Sequence, residues 1–179
     1  MCRFLHLPLQ SGSDRILKSM ARPYTSGQFS AIVRYARDRL GDFGLGTDVI
    51  VGFPGETADD FRATERLVAE LPFSRLHVFS FSPRPGTAAC AMAGQVAAGD
   101  REERARRLIA LGQDKSAAFA RALAGKRLSL VVEKSGNGLA EGWTGEYVRA
   151  RVRGDGFRLK QIVEFTAESA QGDRLLGSA

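Results

Sequence analysis

The sequence predicts an α/β region with a parallel sheet, followed by a small antiparallel β-barrel. Over the first 99 residues, apolar strand-like runs alternate with amphipathic helical patterns in the order βαβαβ. That order requires crossover connections and a parallel sheet. A long helix is predicted over residues 100–125. From residue 126 the apolar residues recur with a period of two around a glycine-rich turn, which is typical of antiparallel strands.

The elements of the first region have recognisable cores and caps. Val49–Val51 form a continuous apolar run, as strands buried on both faces do. Ser13 or a neighbouring residue is predicted to cap a first helix, and Thr25 and Thr57 each begin a capping box closed by a Gln or Asp three residues later. The strands are predicted over residues 4–9, 45–51 and 75–81, and residues 88–99 are interpreted as a linker.

The second region is predicted to be a small antiparallel barrel or meander of about 45 residues. It covers residues 126–166, with a hairpin turn over residues 135–138. Residues 167–179 are expected to be a disordered tail.

Composition limits the function classes. The net charge is +6, and residues 100–179 carry 15 basic against 11 acidic residues. Such a region is compatible with nucleic acid, and a solvated arginine-rich face is the alternative. There is no run of about 18 apolar residues and no signal-peptide pattern, so we expect a cytoplasmic protein with no membrane partner. Cys2 and Cys90 are expected to be unpaired thiols.

Polar and glycine-rich loops follow all three predicted strands of the sheet. Because the carboxyl ends of parallel strands meet at one edge, these loops predict one ligand site. The candidate residues are Gln10, Ser11, Gly12 and Ser13 in the first loop, Gly52, Gly55 and Glu56 in the second, and Ser82 and Arg84 in the third.

The chemistry of these residues suggests how they bind a ligand. Gly52 and Gly55 permit close approach of the backbone. Glu56 either accepts a hydrogen bond from a ligand or complements the dipole of the helix that follows it. Arg84 either clamps an anion or has a structural role.

Three further polar residues lie within the strands. Asp48 is interpreted as a buried hydrogen-bonding carboxylate, with a general base as the alternative. His6 and His77 are expected to be structural, because neither has a carboxylate and a third ligand at metal-binding spacing in the sequence. No metal site and no catalytic residue are predicted.

Aromatic and basic residues are interleaved in the second region. Period two places Arg149, Arg151 and Arg153 on one face of a strand. Like charges on one face are unfavourable alone, so an anionic partner is expected, and RNA fits a small β surface with aromatic residues. Trp143 and Tyr147 complete this candidate surface. The alternative is a solvated face with Trp143 in the core.

Three motifs together resemble one family. They are HLPLQSGSD at residues 6–14, TDVIVGFPGET at residues 47–57 and SPRPGT at residues 82–87. Their order and spacing resemble the C-terminal half of a methylthiotransferase of the radical S-adenosylmethionine class. Residues 126–166, with GWTGEYV at residues 142–148, resemble the TRAM-type RNA-binding barrel of that family.

The resemblance implies the later βα units of a partial TIM-type radical S-adenosylmethionine barrel, followed by a TRAM-like barrel. It implies that Gln10, Ser11 and Ser13 lie along S-adenosylmethionine. It also implies that Asp48, Gly55 and Glu56 contribute to the S-adenosylmethionine site, and that Gly52 and its neighbours, with Ser82 and Arg84, line the nucleoside side of that site. The partner implied is tRNA, and we expect a monomer.

Residues 75–87 resemble the branch that methylthiolates N6-threonylcarbamoyladenosine beside the anticodon. The branch acting on isopentenyl-adenosine is the alternative, and a non-catalytic RNA-binding fragment is a second one. The family holds 4Fe-4S clusters, and its CxxxCxxC loop is absent here. We therefore expect the later part of a longer enzyme, inactive on its own.

Overall fold

The computed structural model describes residues 2–179. No helix among these residues is long and apolar enough to cross a membrane. In chain order, the elements are β1 (Phe4–His6), α1 (Asp14–Ser19), α2 (Ser26–Leu40), β2 (Gly44–Val51), α3 (Ala58–Glu70), β3 (Arg75–Ser80), α4 (Ala88–Ala91), α5 (Ala98–Ala122), β4 (Arg127–Gly136), β5 (Leu139–Thr144), β6 (Arg149–Arg153), β7 (Ile162–Gln171) and β8 (Arg174–Ser178).

The chain forms two compact units. One comprises residues 6–112, and the other comprises residues 2–5 together with residues 113–179. The boundary lies within α5, whereas we expected boundaries on either side of a connecting helix at 100–125. The reason is that α5 contributes to both units: Gly112 packs against Leu76 of β3, while Ala120 and Leu123 belong to the barrel core.

β1, β2 and β3 form a three-stranded sheet in the order β1-β2-β3. β2 and β3 are parallel, with Asp48 opposite His77, as the βαβαβ pattern predicts. β1 ends at His6, earlier than the predicted residue 9, because Pro8 has no N–H for the ladder. Gln10 resumes the pairing as an isolated parallel bridge to Val49.

The predicted helix caps are confirmed. The Ser13 hydroxyl accepts from the Ile16 N–H at the start of α1. Capping boxes begin α2 at Thr25 and α3 at Thr57. The segment interpreted as a linker contains the short α4 and the first residues of α5.

The second unit contains a closed barrel with the strand order β4-β5-β6-β8-β7. The predicted hairpin turn joins β4 to β5. The prediction of a disordered tail is wrong: β7 extends to Gln171, and β8 pairs with both β6 and β7. Leu175 on β8 is fully buried, so burial of its inward-facing residues holds this short strand in the barrel.

Candidate ligand cavity and nucleic-acid surface

An open cavity lies at the carboxyl ends of β2 and β3. Its volume is about 470 Å³, within the range of small-molecule sites. It combines apolar surface with a carboxylate, an amide, hydroxyls and a guanidinium. The lining residues are Gln10, Asp48, Ile50, Phe79, Ser80, Phe81, Ser82, Arg84, Thr87 and Ala89.

The backbone of Gln10 is fixed at the sheet edge. Its N–H donates to the Asp48 carbonyl, and its carbonyl accepts from the Ile50 N–H, at 2.8 and 2.9 Å. Its φ of 65° is unusual for a residue with a side chain. The ladder therefore sets the position from which the Gln10 side chain lines the cavity.

Arg84 supplies the positive charge of the cavity. It lies in the exposed loop after β3, and its carbonyl accepts from the Thr87 hydroxyl at 2.8 Å. Among residues 2–179, no carboxylate lies within ion-pair distance of its guanidinium. The side chain can therefore meet an anionic group of a ligand.

The remaining residues of the first loop lie away from the cavity, against α3. The Ser11 hydroxyl is 3.3 Å from the Thr64 hydroxyl, and the Gly12 N–H donates to that same hydroxyl at 2.9 Å. A Cβ on Gly12 would lie 2.5 Å from the Thr64 Cα. Ser11, Gly12 and Ser13 thus join α1 to α3.

Asp60 is the centre of this junction. Its carboxylate accepts from the Ser13 hydroxyl and the Thr57 hydroxyl, both at 2.6 Å, and from Arg15. Burial alone would raise the pKa of Asp60, but the hydrogen bonds from Arg15, Ser13 and Thr57 outweigh it. The pKa of Asp60 is therefore held well below its usual range.

The second loop has internal partners as well. The buried Glu56 accepts from the Gly52 N–H at 2.7 Å and from Arg104 at 2.6 Å, while its other oxygen has no hydrogen-bond partner in the described part of the chain. Burial raises the pKa of Glu56 in spite of these hydrogen bonds. The Gly55 N–H donates to the Gly94 carbonyl. None of the second-loop candidates lines the cavity.

Two residues expected to be structural form a cluster with Asp48. His6 Nε2 lies 3.1 Å and His77 Nδ1 lies 3.2 Å from Asp48 Oδ1. The sequence shows no carboxylate and third ligand at metal-binding spacing, but neighbouring strands bring together residues that are 29 or more positions apart. The register of the parallel sheet was the missing information.

The predicted RNA surface lies on the outside of the barrel. Trp143 and Tyr147 stack with ring centroids 4.5 Å apart and planes 10° apart, and the Arg149 guanidinium lies 4.3 Å from the Trp143 centroid. Trp143 is half-buried rather than a core residue. In register with it, Val131 and Ile162 extend an exposed apolar row across β4 and β7.

The three arginines of β6 share one face, as predicted, but their charges are compensated. Arg149 pairs with a glutamate of β4 at 2.6 Å, and Arg151 pairs with Glu141 of β5 at 2.6 Å. Arg153 pairs with Glu168 of β7 at 2.7 Å. The three arginines are therefore not unpaired like charges, and they do not by themselves require an anionic partner. Exposed ion pairs of this kind contribute little to stability.

Part of the chain matches a known protein family. Residues 1–68 match the Radical SAM superfamily. The matched segment contains the first two loops and the strand that carries Asp48.

Relatives named as tRNA-modifying enzymes align with most of the chain. It is 46% identical over 132 residues to a tRNA-2-methylthio-N(6)-dimethylallyladenosine synthase of Tropheryma whipplei, covering 74% of this chain and 28% of the relative. A relative of the same name from Frankia casuarinae is 42% identical, covering 95% and 30%. A threonylcarbamoyladenosine tRNA methylthiotransferase of Thermotoga maritima is 37% identical, covering 99% and 42%. The chain thus spans less than half the length of each of these relatives.

The Radical SAM superfamily implies S-adenosylmethionine and an iron–sulfur cluster. This chain contains two cysteines, and both are exposed and free of disulfides. Cys2 belongs to the unit that contains the barrel, and Cys90 belongs to the other. A CxxxCxxC loop needs three thiolates, so the residues present do not fit a cluster of that kind.

Proposed function

We propose that this chain forms the nucleoside-binding and tRNA-binding part of a tRNA methylthiotransferase. The observation that carries the proposal is the cavity at the strand ends, in a chain that aligns over most of its length with enzymes of that name. The cluster thiolates for such a reaction would come from outside this chain. The contribution of its own residues is therefore binding and orientation, carried out in the cytoplasm.

Within the cavity, we assign Gln10 and Asp48 to S-adenosylmethionine. A carboxylate can accept from ribose hydroxyls or from the ammonium group of the methionine part, and an amide can both donate and accept. Ser11, Gly12 and Ser13 would act indirectly, because their contacts with α3 hold the loop on which Gln10 lies.

Ser82 and Arg84 are assigned to the modified adenosine. A threonylcarbamoyl group ends in a carboxylate, and a guanidinium recognises a carboxylate with two parallel hydrogen bonds. Arg84, which has no ion-pair partner in the described chain, favours N6-threonylcarbamoyladenosine as the substrate. The apolar side chains of Ile50, Phe79 and Phe81, which also line the cavity, favour the alternative substrate, dimethylallyladenosine.

The partner is tRNA, and the barrel surface around Trp143 is the proposed contact. A stacked aromatic pair beside an arginine is a sequence-tolerant platform for unpaired bases. Filter binding with tRNA would compare W143A with F119A, a change to a partly buried aromatic residue that packs on the barrel core. A loss of about 5–150-fold is expected for W143A, corresponding to one base stack. Equal losses in the two variants would contradict the surface.

Deletion of the gene in its host tests the reaction. Mass spectrometry of tRNA nucleosides is expected to show loss of the methylthio group from one modified adenosine. Loss from the threonylcarbamoyl nucleoside supports the assignment of Arg84, and loss from the dimethylallyl nucleoside supports the alternative. Unchanged methylthio content of both nucleosides would overturn the proposed function.

A further inference from the structure

The chain contains two histidines, and both flank one carboxylate. His6 lies on β1, Asp48 lies on β2, and His77 lies opposite Asp48 on β3. The central strand thus presents its carboxylate between two imidazoles. The donor atoms of the three residues lie within 4.8 Å of one another.

The two distances to the Asp48 carboxylate lie in the range found in a metal coordination sphere. Zinc lies about 2.0–2.2 Å from imidazole nitrogen and carboxylate oxygen. Neighbouring ligand atoms are therefore about 3.0 Å apart in octahedral and about 3.4 Å apart in tetrahedral geometry. The measured separations of 3.1 and 3.2 Å from Asp48 Oδ1 lie between these values.

The cluster is also accessible to an ion. The side chains of His6, Asp48 and His77 are 34%, 25% and 43% exposed, so small rotations can bring the two imidazole nitrogens closer. Asp48 also lines the cavity, so that solvent reaches the carboxylate from the cavity side.

We propose that His6, Asp48 and His77 form a binding site for a divalent transition-metal ion. Two imidazoles and one carboxylate suit zinc, cobalt, nickel or ferrous iron rather than magnesium or calcium, which prefer oxygen ligands. Three protein ligands leave at least one coordination position open. This site is distinct from a thiolate-bound cluster and does not depend on the proposed methylthiotransferase function.

One neighbour opposes metal binding. Arg75 Nε donates to His77 Nε2 at 3.2 Å, whereas a metal-bound histidine ordinarily donates from its second nitrogen. Metal binding through His77 Nδ1 therefore requires Arg75 to move, and its positive charge also repels a cation. Removing the Arg75 side chain is expected to increase metal affinity severalfold.

The test is a zinc titration of the full chain carrying C2S and C90S, so that thiols cannot compete. Because the chain has two histidines, imidazole resonances in a ¹H–¹⁵N spectrum report on this site alone. Both histidines are expected to shift together below roughly 100 µM zinc, a micromolar-range affinity. H77Q and D48N are expected to weaken binding at least about tenfold, while D42N, at an exposed aspartate outside the cluster, should not.

The outcomes separate a metal site from a hydrogen-bonded cluster. Histidine resonances that do not move, or equal zinc affinity in H77Q and the unsubstituted chain, would overturn the proposal. If D48N fails to fold, H77Q decides, because the His77 side chain is the most exposed of the three. An R75A variant that binds zinc no more tightly would contradict the role assigned to Arg75.

Discussion

Leu175→Ala perturbs the strand that closes the barrel. The Leu175 side chain is 0% exposed and belongs to the barrel core. Truncating a fully buried leucine removes its transfer free energy and leaves a cavity, which together cost about 2–5 kcal/mol. That is a large part of the 5–15 kcal/mol by which a domain of this kind is ordinarily stable.

Leu176→Ala is the matched control, because it makes the same chemical change one residue further along β8. Because successive side chains of a strand point to opposite faces, the Leu176 side chain faces away from the core, and this residue is half-buried. Its truncation is expected to cost less than about 1 kcal/mol. The difference between the two variants therefore isolates burial in the barrel from any effect of strand propensity.

Urea unfolding followed by tryptophan fluorescence measures this difference. The chain has one tryptophan, and Trp143 lies on β5 of the barrel, so the signal reports on that unit. Leu175→Ala is expected to lower the midpoint with an unchanged slope. If the two substitutions lower the free energy of unfolding equally, or if neither lowers it, β8 is not part of the barrel and the reasoning fails.

Three further predictions concern contacts among the helices and loops of the unit that contains the cavity. Asp60→Asn is expected to lower the free energy of unfolding by about 2–3 kcal/mol at pH 7. Because folding lowers the pKa of Asp60, its carboxylate stabilises the fold above the ordinary pKa of 3.8, and this stabilisation is lost as the pH falls below that value. Urea unfolding at pH 7 and at pH 3 should therefore show a smaller effect of the substitution at pH 3. Gly12→Ala should destabilise the protein by about 1–3 kcal/mol, because the added Cβ clashes with α3. Gly27→Ala is the control: its added Cβ meets only one atom, at 3.9 Å, and the substitution should stabilise the protein by roughly 0.5–1 kcal/mol. Melting temperatures that change in the same direction in the two variants would contradict this. Arg104→Ala leaves the buried Glu56 carboxylate without its cation and should lower the free energy of unfolding by about 3–5 kcal/mol. If Arg104→Ala has an equal effect in a chain that also carries Glu56→Gln, the ion pair is not the cause.

Local signals predicted most of the fold. The helix starts at Ser13, Thr25 and Thr57 were predictable because a cap depends on residues within one turn. The strands of the sheet were located to within about three residues, the precision expected of pattern reading. β8 was missed because it is a short strand that depends on pairing with β6 and β7 for its stability, and such pairing is a non-local property.

The site was predictable only in part, for the same reason. Gln10, Ser82 and Arg84 line the cavity as the strand-end rule predicts, and Asp48 lines it from within β2. The small polar residues beside them are bound to α3, and the sequence alone does not show which polar side chains the fold itself will use. The histidine cluster depends on strand register, which no local pattern specifies.

The two sheets differ in how they end. Each strand of the barrel is hydrogen-bonded on both sides, so the barrel offers no template for adding another strand. In the other sheet, β1 and β3 are the two outer strands and β2 lies between them. Self-association of the purified chain at high concentration is therefore expected to proceed through β1 or β3, and charged substitutions intended to improve its handling belong on those two strands.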